Sequence, residues 1–287
     1  MLDYTAPSTV EEAVRILAEA PGAAKVLSGG TDLLVQLRSG RAKPGLIVDI
    51  KNIPGICGIR EQDGGFVVGA STPGAVIGEC EALRRAWPGV VEAANLIGST
   101  QIQGRASLAG NLCNASPAAD SVPPLVAAGA IVRIIGPNGS REAPVEDIPT
   151  GPGKTSLAKG EIIASFFMPP RPAHASDAYQ RFTPRTEMDI AVVGVGVSLA
   201  LDAAGSCTAA RVALGAVAPT VLLVKEAADA LIGTELDEAA LDKLAKAASA
   251  ACRPIDDKRG TREYRVKIAG VLAKRTALQA YERARSN

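Results

Sequence analysis

The sequence predicts an α+β protein in two domains, and three observations carry that prediction. The chain has 287 residues, above the common size of one domain. Its first part alternates short β-compatible runs with helical patterns, whereas its last third sets two strand-like runs ahead of two helices. Between them, residues 168–176 ("MPPRPAHAS") hold three prolines in nine positions, a composition that suits a domain boundary.

Taken in order, the stretch Pro7-Ser8-Thr9-Val10-Glu11-Glu12 reads as a helix start, with Thr9 and Glu12 at capping-box spacing. Val10, Ala13, Val14 and Leu17 give that helix one apolar face, and Pro21-Gly22 ends it. Short strands are expected at residues 24–27 and 46–50, with an apolar segment at 33–37 between them, which makes a small α/β unit. A strand at 66–70 follows Asp63-Gly64-Gly65, and residues 76–95 have the content of one or two helices broken near Pro88-Gly89. Further strands are expected at 131–135 and 162–167. Beyond the proline-rich segment come strands at 190–201 and 211–217, then helices near 236–251 and 265–283. No internal repeat is present.

Bulk properties exclude several classes. With 47% hydrophobic and 21% charged residues, the composition is that of a globular chain. Thirty-one basic against 30 acidic residues give a net charge of +1, so no global field draws in nucleic acid or an anionic membrane. The longest apolar run, residues 190–201, is well short of a membrane span, and "MLDYTAP" lacks a basic segment followed by an apolar one, so the expected location is cytoplasmic. The five cysteines, Cys57, Cys80, Cys113, Cys207 and Cys252, contain no CxxC, which argues against a cluster-binding or secreted disulfide framework and for thiols in a reducing compartment.

Two stretches do not read as packing patterns. In "VLSGGTDLLVQLR" (residues 26–38), a strand-like run stops at Gly29-Gly30. Two glycines remove two Cβ atoms and permit positive φ, so consecutive N–H groups can turn toward a phosphate beside the hydroxyls of Ser28 and Thr31. Alone, the pattern also suits an ordinary Gly-Gly turn. In "SLAGNLCNASPAAD" (residues 107–120), Ser107, Gly110, Asn111, Asn114, Ser116 and Asp120 make a dense polar set, although Asn and Ser also favour turns for local reasons. Together the loops could cradle a long polar ligand, most economically a dinucleotide. Neither has the Rossmann or Walker spacing, and "GPGKTS" (residues 151–156) lacks the first Walker glycine, five positions before Gly153.

Conventional catalysts are sparse. The single histidine, His174, lies in the proline-rich segment as an expected exposed linker residue, which removes histidine-based triads and multi-histidine metal sites. Any chemistry is therefore expected from a bound cofactor.

The two loops, in this order, resemble the FAD-binding (medium) subunit of the molybdenum hydroxylases, of xanthine dehydrogenase and carbon monoxide dehydrogenase type. That family reads approximately A-G-G-T-D/H-L-L and Q-I-R-N-R-G-T-I-G-G-N-L-x-N-A-S-P-A-A-D; here the segments are "SGGTDLL" (28–34) and "QIQGRASLAGNLCNASPAAD" (101–120). The likeness continues through "KTSLAKGEII" (154–163), "YQRFTPRTEMDIAVVGVGV" (179–197), "RVALGAVAPT" (211–220) and "RPIDDKRGTREYR" (253–265), essentially the whole chain.

The resemblance implies a PCMH-type FAD-binding domain over residues 1–172, in subdomains of about 1–55 and 56–172. It implies a C-terminal domain over 177–287, a three-stranded antiparallel sheet with helices. Val26, Leu27, Ser28, Gly29, Gly30, Thr31, Asp32 and Leu33 would wrap the FAD diphosphate and ribityl region, with Ser107, Ala109, Gly110 and Asn111 as the second diphosphate-side loop. Asp120 would bond the polar part of the flavin, Ile163 would line the adenine side, Arg181 and Ile190 would lie near the isoalloxazine, and Ile97 completes the set. The chain departs from the family pattern at Ala109, where glycine is usual, and at Gly104, where asparagine is usual; a need for positive φ at Ala109 would change the loop.

The implied role is an electron-transfer subunit. A molybdopterin-binding large subunit and a 2Fe–2S small subunit are the expected partners, in a dimer of heterotrimers, with electrons passed through this chain's FAD to an external acceptor. No metal site, nucleic-acid partner or membrane span is expected in this chain. A free-standing FAD-dependent oxidase or dehydrogenase is the alternative, and a non-catalytic assembly protein a third reading; turnover without partners, or a colourless chain, would distinguish them.

Overall fold

The computed structural model describes residues 2–287. The N-terminal unit runs β1 (Asp3–Thr5), α1 (Val10–Glu19), β2 (Ala24–Leu27), α2 (Leu33–Arg38) and β3 (Leu46–Asp49). Its sheet is parallel in the order β1-β3-β2. The Thr9 hydroxyl caps α1 by accepting from Glu12 N at 3.1 Å, while the Glu12 carboxylate accepts from Ser8 N at 2.8 Å instead of closing back on Thr9. Ala13, Val14 and Leu17 are the buried face of α1, as the periodicity predicts. The apolar segment after the glycines forms α2, a short helix.

Asp49, at the end of β3, accepts from the Tyr4 hydroxyl at 2.8 Å and pairs with Lys51 at 2.6 Å. Burial acts to raise its carboxyl, but the bonds from Lys51 and Tyr4 prevail and hold it below the ordinary carboxylate value. The loop after β2 leaves from the C-terminal edge of a parallel sheet, where open α/β sheets place ligands.

The second unit begins with β4 (Ile59–Gln62) and β5 (Gly65–Gly69), followed by α3 (Gly74–Glu79), α4 (Glu81–Ala86), α5 (Pro88–Ala94), α6 (Thr100–Gln103), α7 (Leu108–Cys113) and α8 (Val122–Ala127). It ends with β6 (Ile131–Gly136), β7 (Gly139–Pro144), the small hairpin β8 (Pro149–Gly151) and β9 (Lys154–Thr155), and β10 (Ile162–Met168). The main sheet is antiparallel in the order β4-β5-β10-β6-β7. Residues 76–95 make three helices instead of one or two: Cys80 is extended between α3 and α4, and Pro88 occupies the first turn of α5. The "GPGKTS" stretch folds into the β8–β9 hairpin and starts no helix. One hydrophobic core joins both units, with Val14, Leu17 and Val48 in the same cluster as Leu125, Ile134 and Phe166.

The C-terminal unit has β11 (Ala175–Phe182), β12 (Val193–Leu201), β13 (Cys207–Gly215) and a two-residue β14 (Leu222–Leu223), antiparallel in that order. The three long strands match the expectation, and β14 adds a short fourth. The helices α9 (Lys225–Asp229), α10 (Glu238–Ala251) and α11 (Arg262–Arg285) follow. Val195, Val197, Leu214, Leu244, Ala273 and Ala277 belong to a second core. Glycines in β12 let the first part of the molecule lie against this sheet: a Cβ at Gly196 would meet Pro123 O at 2.7 Å. Arg211 on β13 donates to Val126 O at 3.0 Å and pairs with Glu146 at 2.9 Å, and Arg283 on α11 pairs with Glu92 on α5.

The proline-rich segment carries the exposed His174, at φ 52°, and Arg171, which stacks 3.9 Å over Trp87 and pairs with buried Asp177 at 2.8 Å. No helix among the described residues is long and apolar enough to cross a membrane, and the five cysteines form no disulfide.

Candidate functional site

The site forms where the two polar loops touch. Ser28, just past β2, bonds Ser71 (2.8 Å) and Ser107 (2.9 Å) through its hydroxyl, tying the first loop to the second. Gly29 is required by this closeness, because a Cβ there would overlap the carbonyl oxygen of Arg105. Gly30 is required by conformation, with φ +78°. Past Gly30 the chain enters α2, with Leu34 N donating to Gly30 O at 3.0 Å. Among the described residues, the amides of Gly29, Gly30, Thr31 and Asp32 donate to no protein acceptor. Consecutive unspent N–H groups in a turn opened by two glycines suit a phosphate or diphosphate.

The second loop is built differently. Ser107 caps α7, its hydroxyl accepting from Gly110 N at 3.2 Å, and Asn111 N donates to Ser107 O at 2.9 Å. The Asn111 side-chain oxygen accepts from Ser121 N (3.2 Å) and Ser121 Oγ (2.7 Å). Ala109 lies within α7, is buried, and donates its N–H to Ala70 O at 3.4 Å. Its backbone is helical, so the glycine usual at this position is not demanded by φ here.

A cleft of about 280 Å³ opens between these loops. Of the residues singled out from the sequence, Val26, Ser28, Gly29, Gly30, Thr31, Asp32, Leu33, Ile97, Ser107, Ala109, Gly110, Asn111 and Ile163 line it. Leu27 supports the wall from behind, with its Cδ1 3.0 Å from where a Cβ on Gly30 would sit. Asp120, Arg181 and Ile190 lie outside the cleft.

Asp120 accepts from the Tyr179 hydroxyl at 2.8 Å and pairs with Arg181 at 2.6 Å, joining the segment before α8 to β11. Burial pushes the Asp120 carboxyl up while Arg181 and Tyr179 oppose it; burial, then the charge of Asp120, lift the Tyr179 hydroxyl well above its ordinary value. Ile190 is half-exposed, its N–H donating to the Asp189 carboxylate at 2.8 Å. The same segment touches the first part of the molecule through Met188 N, which donates to Gly98 O at 3.3 Å, one residue past Ile97.

The sequence reading missed Lys25, Gln36, Cys113, Thr155 and Glu161, which also line the cleft. A signal existed for two of them: Gln36 and Cys113 lie inside the two stretches singled out, and Gln36 donates to the Asn114 side chain at 2.9 Å. Thr155 and Glu161 arrive from sequence-distant β9 and the turn before β10. Glu161 is spent on Arg141, with two bonds of 2.8 Å, and that pairing holds its carboxyl below the ordinary value. Burial pushes the Cys113 thiol up to about 12, so it is no thiolate at neutral pH. The cleft holds no histidine and no thiolate; its polar lining is N–H groups, hydroxyls, Lys25 and the carboxyl groups of Glu161 and Asp32, the latter raised by burial.

Comparison with known proteins extends this geometry. Residues 1–171 match the family model described as "FAD binding domain in molybdopterin dehydrogenase", and residues 166–280 match "CO dehydrogenase flavoprotein C-terminal domain". The chain is 33% identical over 285 residues to the carbon monoxide dehydrogenase medium chain of Afipia carboxidovorans, covering 99% of this chain and 98% of that one. It is 32% identical over 279 residues to a xanthine dehydrogenase FAD-binding subunit of Escherichia coli, covering 96% and 95%. Among solved structures, a chain of the cyanide-inactivated Cu,Mo-CO dehydrogenase superimposes with a TM-score of 0.94 at 32% identity, covering 98% of both chains. A chain of quinoline 2-oxidoreductase from Pseudomonas putida gives 0.91 at 26% identity, covering 99% and 98%.

Proposed function

The chain belongs to the FAD-binding medium subunits of the molybdenum hydroxylases, and from that premise we propose that it carries electrons between a partner's 2Fe–2S clusters and an external acceptor. It is an oxidoreductase subunit whose redox group is FAD. Bound FAD supplies the exchange of electrons singly and in pairs. The chain's own residues bind and orient that group.

The amides of Gly29, Gly30, Thr31 and Asp32 face no protein acceptor, which makes them the donors for the diphosphate, and this observation carries the reading. Ser28, Thr31 and the Asn111 side chain add polar contacts along the same wall, while Val26, Leu33, Ile97 and Ile163 supply apolar surface. A charged diphosphate meets no unpaired carboxylate at Glu161, because Arg141 already neutralises it. In this reading Asp120, fixed by Tyr179 and Arg181, addresses the polar part of the flavin, and Ile190 covers a ring face without offering a hydrogen bond. The domain division is taken at residues 1–172 and 177–287. The complex is a molybdopterin-binding large subunit, a 2Fe–2S small subunit and this chain, doubled.

The test is a visible spectrum of the purified chain and of its complex, with any released cofactor identified by mass. Near-stoichiometric FAD is expected in the complex, and mixing with dithionite-reduced partner should bleach it. A complex that holds no FAD, or whose flavin stays oxidised beside reduced clusters, overturns the proposal.

A further inference from the structure

A third element holds the two loops from behind. It is the turn after β5 with the first residue of α3, residues 70–74, and it lines no part of the cleft. Ala70 O accepts from Ala109 N at 3.4 Å, Pro73 and Ser107 form an isolated antiparallel bridge, and Gly74 N donates to Ala106 O at 2.8 Å, so the turn is stitched to the second loop. Its own shape is fixed as well. Ser71 N donates to Ile56 O at 2.9 Å, and the buried Thr72 hydroxyl donates to Gly69 O at 2.7 Å and accepts from Gly58 N at 3.0 Å.

Among the described residues, one hydrogen bond joins this turn to the first loop: the Ser28 hydroxyl donates to Ser71 Oγ at 2.8 Å. A hydroxyl carries one hydrogen, so in the 2.9 Å contact of Ser28 with Ser107 it is Ser107 that donates. Ser107 Oγ in turn accepts from Gly110 N at 3.2 Å. The bonds run one way, from Gly110 through Ser107 and Ser28 to Ser71, and end on a side chain in a residue only 5% exposed. Bonds aligned head to tail in a dry interior strengthen one another. Ser28 immediately precedes the four open amides, and its hydroxyl is the anchored side chain nearest to them, because Gly29 and Gly30 have none to hold.

We infer that Ser71, which belongs to neither loop and does not reach the cleft, is a positioning residue for the cofactor: through Ser28 it sets where the open amides of residues 29–32 stand relative to the second loop. Ser71 has this role only if the cleft takes FAD, as proposed above. Glycine makes the turn open and also makes it floppy, and four donors meet a diphosphate together only when the turn is held in one place. Ser107 is the weaker of the two anchors of Ser28, since its removal leaves the Ser28–Ser71 bond intact. Removing Ser71 leaves Ser28 without an acceptor for its hydrogen on the turn behind the cleft.

The test is an FAD titration of the flavin-stripped complex, read by flavin fluorescence, with urea unfolding of each variant measured beside it. Ser71→Ala deletes the hydroxyl, and Ser71→Cys keeps the shape of the side chain while weakening the bond, so that it decides the matter if the alanine variant fails to fold. Both should raise the Kd for FAD, by about tenfold for Ser71→Ala and by less for Ser71→Cys. In a Ser28→Ala background, Ser71→Ala should change Kd by less than about twofold, because the link it removes is already gone. A bond that merely stabilises the fold would lower the urea midpoint and leave Kd where it was, and that result overturns the positioning role. So does tighter binding in Ser71→Ala, which would mean that Ser28, once released, donates to the cofactor instead. A full tenfold loss that persists in the Ser28→Ala background overturns it too, since Ser71 would then act by another route. A wild-type complex that takes up no FAD overturns the FAD reading itself and this role with it.

Discussion

The two polar loops face one cleft but solve the same problem in opposite ways. The first, around Gly29-Gly30, spends none of its turn amides on the protein and depends on glycine twice, once for close approach to Arg105 and once for positive φ. The second is closed on itself: Ser107 caps Gly110, Ser121 occupies the Asn111 oxygen, and Ala109 sits in a helical turn. A loop that leaves its donors open for a ligand must be held by shape. A loop that satisfies its own donors tolerates a methyl group.

The largest break in this contrast is expected from Gly29→Ala. Its Cβ meets backbone, which cannot swing aside, so the loops must separate; denaturant unfolding should show a loss of roughly 2–3 kcal/mol. FAD affinity should fall by about a hundredfold or more. A Gly29→Ala complex that binds FAD as well as wild type would sink the account of the first loop. Gly30→Ala should cost less, ~1–2 kcal/mol, for the left-handed backbone, because the nearest atoms are ends of the Leu27 and Leu34 side chains that can yield.

Ser107→Ala tests the second loop. Losing one cap should cost about 1 kcal/mol in unfolding free energy, with FAD titrations showing less than about a tenfold change. A collapse of binding as large as that of Gly29→Ala would erase the distinction between the loops. Ala109→Gly sharpens it further. Glycine in a helical turn should destabilise by roughly 0.5–1 kcal/mol while FAD affinity stays within about twofold; a large gain in affinity would mean that the methyl obstructs the cofactor.

The smallest effect concerns the strand beside the first loop. Asp49 is held below the ordinary carboxylate value, so it contributes stability that is present above its unfolded pKa of about 3.9 and lost as pH falls through the lower folded value. Asp49→Asn should flatten the acid limb of the stability curve below about pH 4 relative to wild type. An unchanged acid limb would remove Asp49 from the account.

Much of this was legible in residue order. The capping pair at Thr9 and Glu12, the strand ending at Leu27 and the polar density from Ser107 to Asn111 are local patterns, readable because each reflects contacts a few residues apart. Strands β4 and β7 were not legible, since "IREQ" and "GSREAP" are mostly exposed edge strands with no apolar alternation to announce them. Nor was the break at Cys80, which no proline marks and which follows Gly78 by two positions.

Within the site, the sequence could say that two glycines stood together, but not that each has a separate reason. Gly29 answers a carbonyl 76 positions later in the chain, and that neighbour exists only once the loops meet. The same holds for the Tyr179–Asp120–Arg181 cluster and for Glu161 being spent on Arg141, which depend on pairs far apart in sequence. Residue order marked the loops, because backbone freedom and polar composition are written locally, and the resemblance of their motifs to a known family implied the cofactor. Tertiary packing settled which donors stay open, which carboxylates are already paired and why Ala109 is tolerated, because burial and proximity belong to the folded chain.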